Sequence, residues 1–206
     1  MKGKFITFEG SEGCGKSTQS KLLYEYLKRK VKRVVYVREP GGTKVSEKIR
    51  RILLDPKNTI NPLCETLLYM AARAETVSQL VKPAILKGYI VICDRFLDST
   101  VVYQGFGLGV DIGFIYNIAR SITAGIKPDL TILLDLPVAK GLRHRRFIKD
   151  RIEKRSLSYH QRVRKGYLRL ARQEPERIKV IKVKQDKYKT QKEIKLVVDR
   201  FLEKYR

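Results

Sequence analysis

The sequence predicts an α/β fold: a five-stranded, doubly wound parallel sheet with helices on both faces. Three observations lead there. Short apolar runs at residues 3–9, 34–37, 89–93, 130–135 and 177–183 alternate with longer stretches of helical periodicity. These runs lack polar alternation, as strands buried on both faces do. The first run leads straight into Gly10-Ser11-Glu12-Gly13-Cys14-Gly15-Lys16-Ser17, which fits the Gly-x-x-x-x-Gly-Lys-Ser phosphate-loop template in its required strand, turn and helix context.

Each element follows from local chemistry. Phe5, Ile6 and Phe8 make the first strand, and Leu22, Leu23, Tyr26 and Leu27 mark the helix over 16–30. The second strand ends in Arg38-Glu39-Pro40-Gly41-Gly42-Thr43, where Pro-Gly-Gly forbids a regular element. Helices are expected at 45–54 and 63–86, separated by Asp55-Pro56 and Asn61-Pro62. The second carries a stripe of Leu63, Leu67, Met70, Ala74, Val77 and Val81. The third strand ends in Asp94-Arg95-Phe96. A helix over 111–125 takes Asp111 as its N-cap and stops at Gly125. After the fourth strand, 138–153 reads as helix and then an arginine-dense loop, and 156–173 as an amphipathic helix through Val163, Tyr167 and Leu170. A last helix over 190–205 follows the fifth strand, with Ile194, Val198, Phe201 and Tyr205 on one side.

At 206 residues with 43% hydrophobic content, the chain reads as one globular domain spanning 1–206. No run approaches the ~20 apolar residues of a membrane span. Cys14, Cys64 and Cys93 form neither a C-x-x-C pair nor an even framework, so free thiols and a cytoplasmic location are expected. The net charge of +24 favours polyanions, nucleotides included. Nucleic-acid binding is less favoured, because there is no separate basic arm and no RNA-binding aromatic signature.

Ligands of such sheets bind beyond the carboxyl ends of the strands, so the loops after strands one, two and three should line one crevice. There the backbone N–H groups of the glycine-rich loop and the helix N-terminus cradle phosphate, with Lys16 at the β/γ-phosphates and Ser17 on magnesium. Glu9, Asp94 and Asp135 end strands and are candidates for a carboxylate near the metal. Asp94 is preferred, since Arg95 follows it and offers a bidentate fork to an acceptor phosphate; Asp135 reads as structural. Arg38, Arg73 and Arg95 are placed around the acceptor phosphate, each with a salt bridge as its ordinary alternative. Arg143, Arg145, Arg146, Lys149 and Arg151 form a second cationic group, either a solvated face or a lid over the transferring phosphoryl group. Cys14 reads as a small residue tolerated within the loop.

Four blocks taken together resemble thymidylate kinases: Phe8 to Thr18, Arg38 to Thr43, Asp94-Arg95-Phe96 with Ser99-Thr100 and Tyr103-Gln104-Gly105, and Asp150-Arg151-Ile152-Glu153. The resemblance covers essentially the whole chain and implies a P-loop kinase fold. It implies transfer of the ATP γ-phosphoryl group to dTMP, giving dTDP, by a magnesium-dependent homodimer; a broader acceptor range such as dUMP is the runner-up. It makes Gly10, Ser11, Glu12, Gly13, Cys14, Gly15, Lys16, Ser17 and Thr18 the nucleotide cradle, and Ser17 and Asp94 the metal residues. Glu12 would bind the deoxyribose 3′-hydroxyl, and Arg38, Arg73 and Arg95 the acceptor phosphate. Tyr69 would stack on the base, Thr100 and Gln104 would read it beside Ser99, and Tyr103 would crowd a ribose 2′-hydroxyl. Because Gly13 stands where some relatives carry a catalytic arginine, the resemblance is to the type with that arginine in a lid, here around 143–155. Arg146 is its first candidate and Arg151 its second. Arg155 and Lys182 stand where many relatives are acidic.

Overall fold

All five strands run parallel in the order β2-β3-β1-β4-β5, with β1 Lys4–Glu9, β2 Val34–Arg38, β3 Ile90–Asp94, β4 Leu130–Asp135 and β5 Ile178–Lys182. This computed structural model describes residues 3–31, 33–144 and 150–204. The register sets Phe8 opposite Asp94 and Asp94 opposite Arg38, so the loops after the first three strands leave the sheet at one level. Side chains alternate across the sheet. Ile6, Phe8, Ile92, Ile132 and Leu134 pack on α1 (Lys16–Lys30) and α9 (Lys187–Glu203), through Leu23, Leu27, Ile194 and Val198. Phe5, Val91 and Cys93 point to the other face, onto Val77, Val81 and Ile85.

The helices of that second face depart from expectation in two places. The expected helix over 63–86 is α3 (Pro62–Thr76), a π-helical stretch over Val77–Val81, and α4 (Lys82–Leu86). Pro83 has no N–H to return to the preceding turn, and the widened turn immediately before it accommodates that loss. Residues 97–106, for which the sequence offered no element, form α5 (Leu97–Thr100) and a second π stretch, Val101–Phe106. The β-branched run Thr100-Val101-Val102 and the glycines after it hide this helix from propensity, while burial of Val101 and Val102 at 0% exposure fixes it.

Elsewhere boundaries move by a few residues. α2 (Lys44–Leu54) is capped by Thr43, whose hydroxyl accepts the Ser46 N–H. α6 (Ile112–Thr123) has Asp111 as N-cap, as expected, and its chain turns left-handed at Ala124 and Gly125. α7 covers Val138–Arg143, α8 covers Leu157–Gln173 capped by Ser156, and α9 starts three residues earlier than expected because Asp186 caps it. Arg145, Arg146, Lys149 and Tyr205 lie outside the described residues.

Candidate active site

A crevice of about 400 Å³ opens at the carboxyl ends of β1, β2 and β3. Its floor is the turn from β1 into α1. Gly15, at φ 90°, is the N-cap of α1 and supplies no side-chain cap, so the first N–H groups of a 15-residue helix stay open to an anion. Lys16 is 6% exposed and curls back, its Nζ donating to the carbonyls of Gly10 at 2.9 Å and Ser11 at 2.8 Å. Ser17 Oγ donates to Asp94 Oδ2 at 2.5 Å. The other oxygen, Asp94 Oδ1, is buried and has no partner among the described residues.

These groups suit a magnesium ion held jointly with a nucleotide. A hydroxyl and a carboxylate with a spare oxygen stand side by side, and no cluster of three or more ligating side chains occurs among the described residues. Magnesium at phosphate sites takes only one or two protein ligands and completes its shell with phosphate and water.

The opposite wall carries the arginines, each already neutralised. Arg38 donates to Glu47 at 2.8 Å, and Glu47 also accepts the Gly42 N–H, which holds its carboxyl below the usual range. Arg73, 2% exposed, donates to Glu39 at 2.8 Å and lies over the Phe96 ring. Burial pushes the Glu39 carboxyl up, with Arg73 opposing it. Arg95 adopts φ 72°, a left-handed conformation costly for a side chain of its size, and donates to Glu12 at 2.5 Å and Ser99 Oγ at 3.2 Å. Tyr103 also donates to Glu12, at 2.7 Å. Glu12 therefore sits between a cation and a phenol at the centre of the crevice.

Behind Arg95, fully buried Glu9 accepts from the Phe96 N–H at 2.7 Å, Ser99 Oγ at 2.6 Å and the Tyr167 hydroxyl at 2.7 Å. Burial first, and Asp98 second, raise its carboxyl to about 7. Glu9 thus belongs to the support of Arg95. Asp135, the third candidate carboxylate, is bidentate with Arg164 at 2.7 and 2.9 Å, the structural role expected of it.

The expected site residues mostly converge. Glu12, Gly13, Gly15, Lys16, Ser17, Thr18, Arg38, Tyr69, Arg73, Asp94, Arg95, Ser99, Thr100, Tyr103 and Gln104 line the crevice. Gly10, Ser11 and Cys14 are buried and do not line it, and burial raises the Cys14 thiol. Arg151 does not line it: its side chain donates to the Leu53 carbonyl at 2.8 Å and pairs with Glu65 at 2.6 Å. Arg155, one of the two basic residues at positions expected to be acidic, also donates to Glu65, at 2.6 Å, and to the Tyr159 hydroxyl at 2.7 Å. Nothing in the structure explains Lys182. Sequence reasoning did not single out Glu39, Arg50, Leu54 and His144, which line the crevice too. Glu39 had a signal, since it stands in the same loop as Arg38; Arg50 sits in a helix rich in basic residues and had none. No described helix is long and apolar enough to cross a membrane.

A family model described as thymidylate kinase matches residues 8–194. A thymidylate kinase of Thermoanaerobacter sp. (strain X514) is 45% identical over 203 residues, covering 98% of this chain and 100% of that protein. One of Symbiobacterium thermophilum is 47% identical over 200 residues, 96% of this chain and 94% of its own length. The crystal structure of the thymidylate kinase from Ehrlichia chaffeensis superposes with a TM-score of 0.81 at 35% identity, covering 97% of this chain and 100% of that one. Phosphate loop, arginine wall, sheet order and full-length similarity agree: the chain belongs to the thymidylate kinase family.

Proposed function

We propose that the crevice moves the γ-phosphoryl group of ATP to dTMP, giving dTDP for dTTP synthesis. The observation that carries this reading is the polarity of one continuous crevice. One end is a phosphate cradle with Lys16 and the Ser17–Asp94 pair; the other is walled by three arginines and closed over Glu12 and Tyr103.

In-line phosphoryl transfer asks chiefly for positioning and charge neutralisation. The loop N–H groups and the N-terminus of α1 take the donor phosphates. Lys16 exchanges the Gly10 and Ser11 carbonyls for phosphate oxygens, and those two bonds hold its ammonium over the loop until then. Magnesium, held by Ser17 and Asp94 with the phosphates, would neutralise charge on the transferring group. On the acceptor side Arg95 is preset by Glu12, Ser99 and a strained backbone, so little is reorganised when a phosphate arrives. Glu12 and Tyr103 then face the sugar, and Tyr69, Thr100 and Gln104 the base.

A homodimer is part of the same reading. The adjoining helices α3 and α6 leave Leu63, Leu67 and Tyr116 between 41% and 47% exposed, and a second copy would cover them. Three free cysteines support a reducing, cytoplasmic setting. A bisubstrate analogue, adenosine and thymidine joined through five phosphates, tests the single crevice. It should compete with both ATP and dTMP; competition with only one of them contradicts the reading.

A further inference from the structure

Glu65 lies at 0% exposure on α3 and serves three donors. Its Oε2 takes Arg151 Nη1 and Arg155 Nη2, each at 2.6 Å, and its Oε1 takes Gln104 Nε2 at 2.8 Å. A carboxylate only accepts hydrogen bonds, whereas a glutamine amide has two unlike ends. With both guanidinium groups on Oε2, the remaining oxygen dictates that Gln104 turns its NH₂ inward. The amide oxygen is then the end left for the crevice that Gln104 lines, and it makes no hydrogen bond among the described residues.

We propose that Glu65 is a positioning residue for acceptor specificity: by fixing the direction of the Gln104 amide, it makes the crevice present a hydrogen-bond acceptor to the base. A base with a ring N–H, thymine or uracil, meets that oxygen as a donor. Cytosine brings an unprotonated ring nitrogen to the same place, and two acceptors face each other unpaired. The inference rests on the dTMP reading and refines it. Arg155 belongs to the device, because it adds a second guanidinium to the oxygen that Arg151 already holds and leaves Oε1 to Gln104.

The isosteric change Glu65→Gln tests it. Arg151 and Arg155 hold the oxygen of the new amide where Oε2 was, so its NH₂ replaces Oε1, and Gln104 has to reverse and offer NH₂ to the base. The ratio of kcat/KM for dTMP to that for dCMP is expected to fall about tenfold or more, as befits exchange of a matched for a mismatched buried polar contact. KM for ATP should stay unchanged. Glu65→Gln combined with Gln104→Glu is expected to restore the ratio, since the new carboxylate accepts from the new amide and again shows the base an oxygen. A merely structural role lowers both acceptors together; an unchanged ratio in a variant that melts cooperatively overturns the inference.

Should Glu65→Gln fail to fold, the wild-type protein decides. 3-Methyl-dTMP, which lacks the ring N–H, is expected to be used at least about tenfold less well than dTMP, and equal use overturns the inference. Absence of any dTMP-dependent turnover in the wild type overturns the acceptor reading as well, a result distinct from an unchanged ratio.

Discussion

Gly13 and Gly141 meet backbone to backbone, so that the crest of the phosphate loop rests directly on α7. A methyl group on Gly13 would overlap the Gly141 carbonyl, and one on Gly141 would overlap the carbonyl of Glu12. Gly13 also adopts φ 70°. At Gly13 the backbone of Gly141 in α7 fills the space that any side chain would need.

Gly141→Ala is therefore expected to displace α7 or the loop, costing about 1–3 kcal/mol of stability as overpacking does and raising KM for ATP more than KM for dTMP. Thermal unfolding and initial rates check it; unchanged stability and ATP affinity would mean the contact is loose.

Lys16→Ala should lower kcat by at least about a hundredfold, as loss of a preorganised charge at the transferring group does. Binding of dTMP, followed by calorimetry, should remain, because Lys16 sits in the donor cradle and not on the arginine wall.

Arg95→Ala should act on the other substrate. It removes the acceptor-side cation and one donor to Glu12 Oε1, which also accepts from the Tyr103 hydroxyl. KM for dTMP is expected to rise by roughly tenfold to a hundredfold with ATP binding preserved, as for loss of a charge-assisted hydrogen bond. Unchanged dTMP kinetics would remove Arg95 from the acceptor site.

Glu9 gives the protein a stability term of known sign. Burial raises its folded carboxyl from the ordinary 4.5 to about 7, so between those values the folded state holds a proton that the unfolded state has released. That contribution is complete below the unfolded value and is lost as pH rises through 7, on the order of 1–3 kcal/mol across the window. His160 pulls the other way: burial lowers its pKa, so its contribution is lost as pH falls. Melting temperatures at pH 5, 6, 7 and 8 should decline more steeply for the wild type than for Glu9→Gln, which keeps an oxygen for the Phe96 N–H. Parallel profiles would show that Glu9 does not titrate there.

The phosphate loop, the strand-end arginines and Asp94 were legible because each is a local pattern: glycines with a lysine, or a charge just past a buried run. Sheet order and crevice followed from strand and helix alternation. What could not be read is mutual. Arg38, Arg73 and Arg95 look alike in sequence, yet their partners Glu47, Glu39 and Glu12 lie 9, 34 and 83 positions away. Glu65 resembles any helix carboxylate until the fold brings Arg151, Arg155 and Gln104 to it. The segment 97–106 failed for a different reason: its β-branched residues and glycines oppose helix, and only complete burial of Val101 and Val102 overrides them.

Leu67→Glu should leave a monomer in light scattering if the exposed apolar residues of α3 and α6 meet a second copy. A wild type that is monomeric at every concentration would end the dimer assignment.

The most direct test of the central claim is an ADP-release assay with ATP and magnesium across dTMP, dUMP, dCMP, dGMP and no acceptor, with products identified by mass. Turnover that requires dTMP and yields dTDP is the predicted result. ADP release without an acceptor requirement, or a product other than dTDP, would contradict the assignment of the arginine wall as the dTMP site.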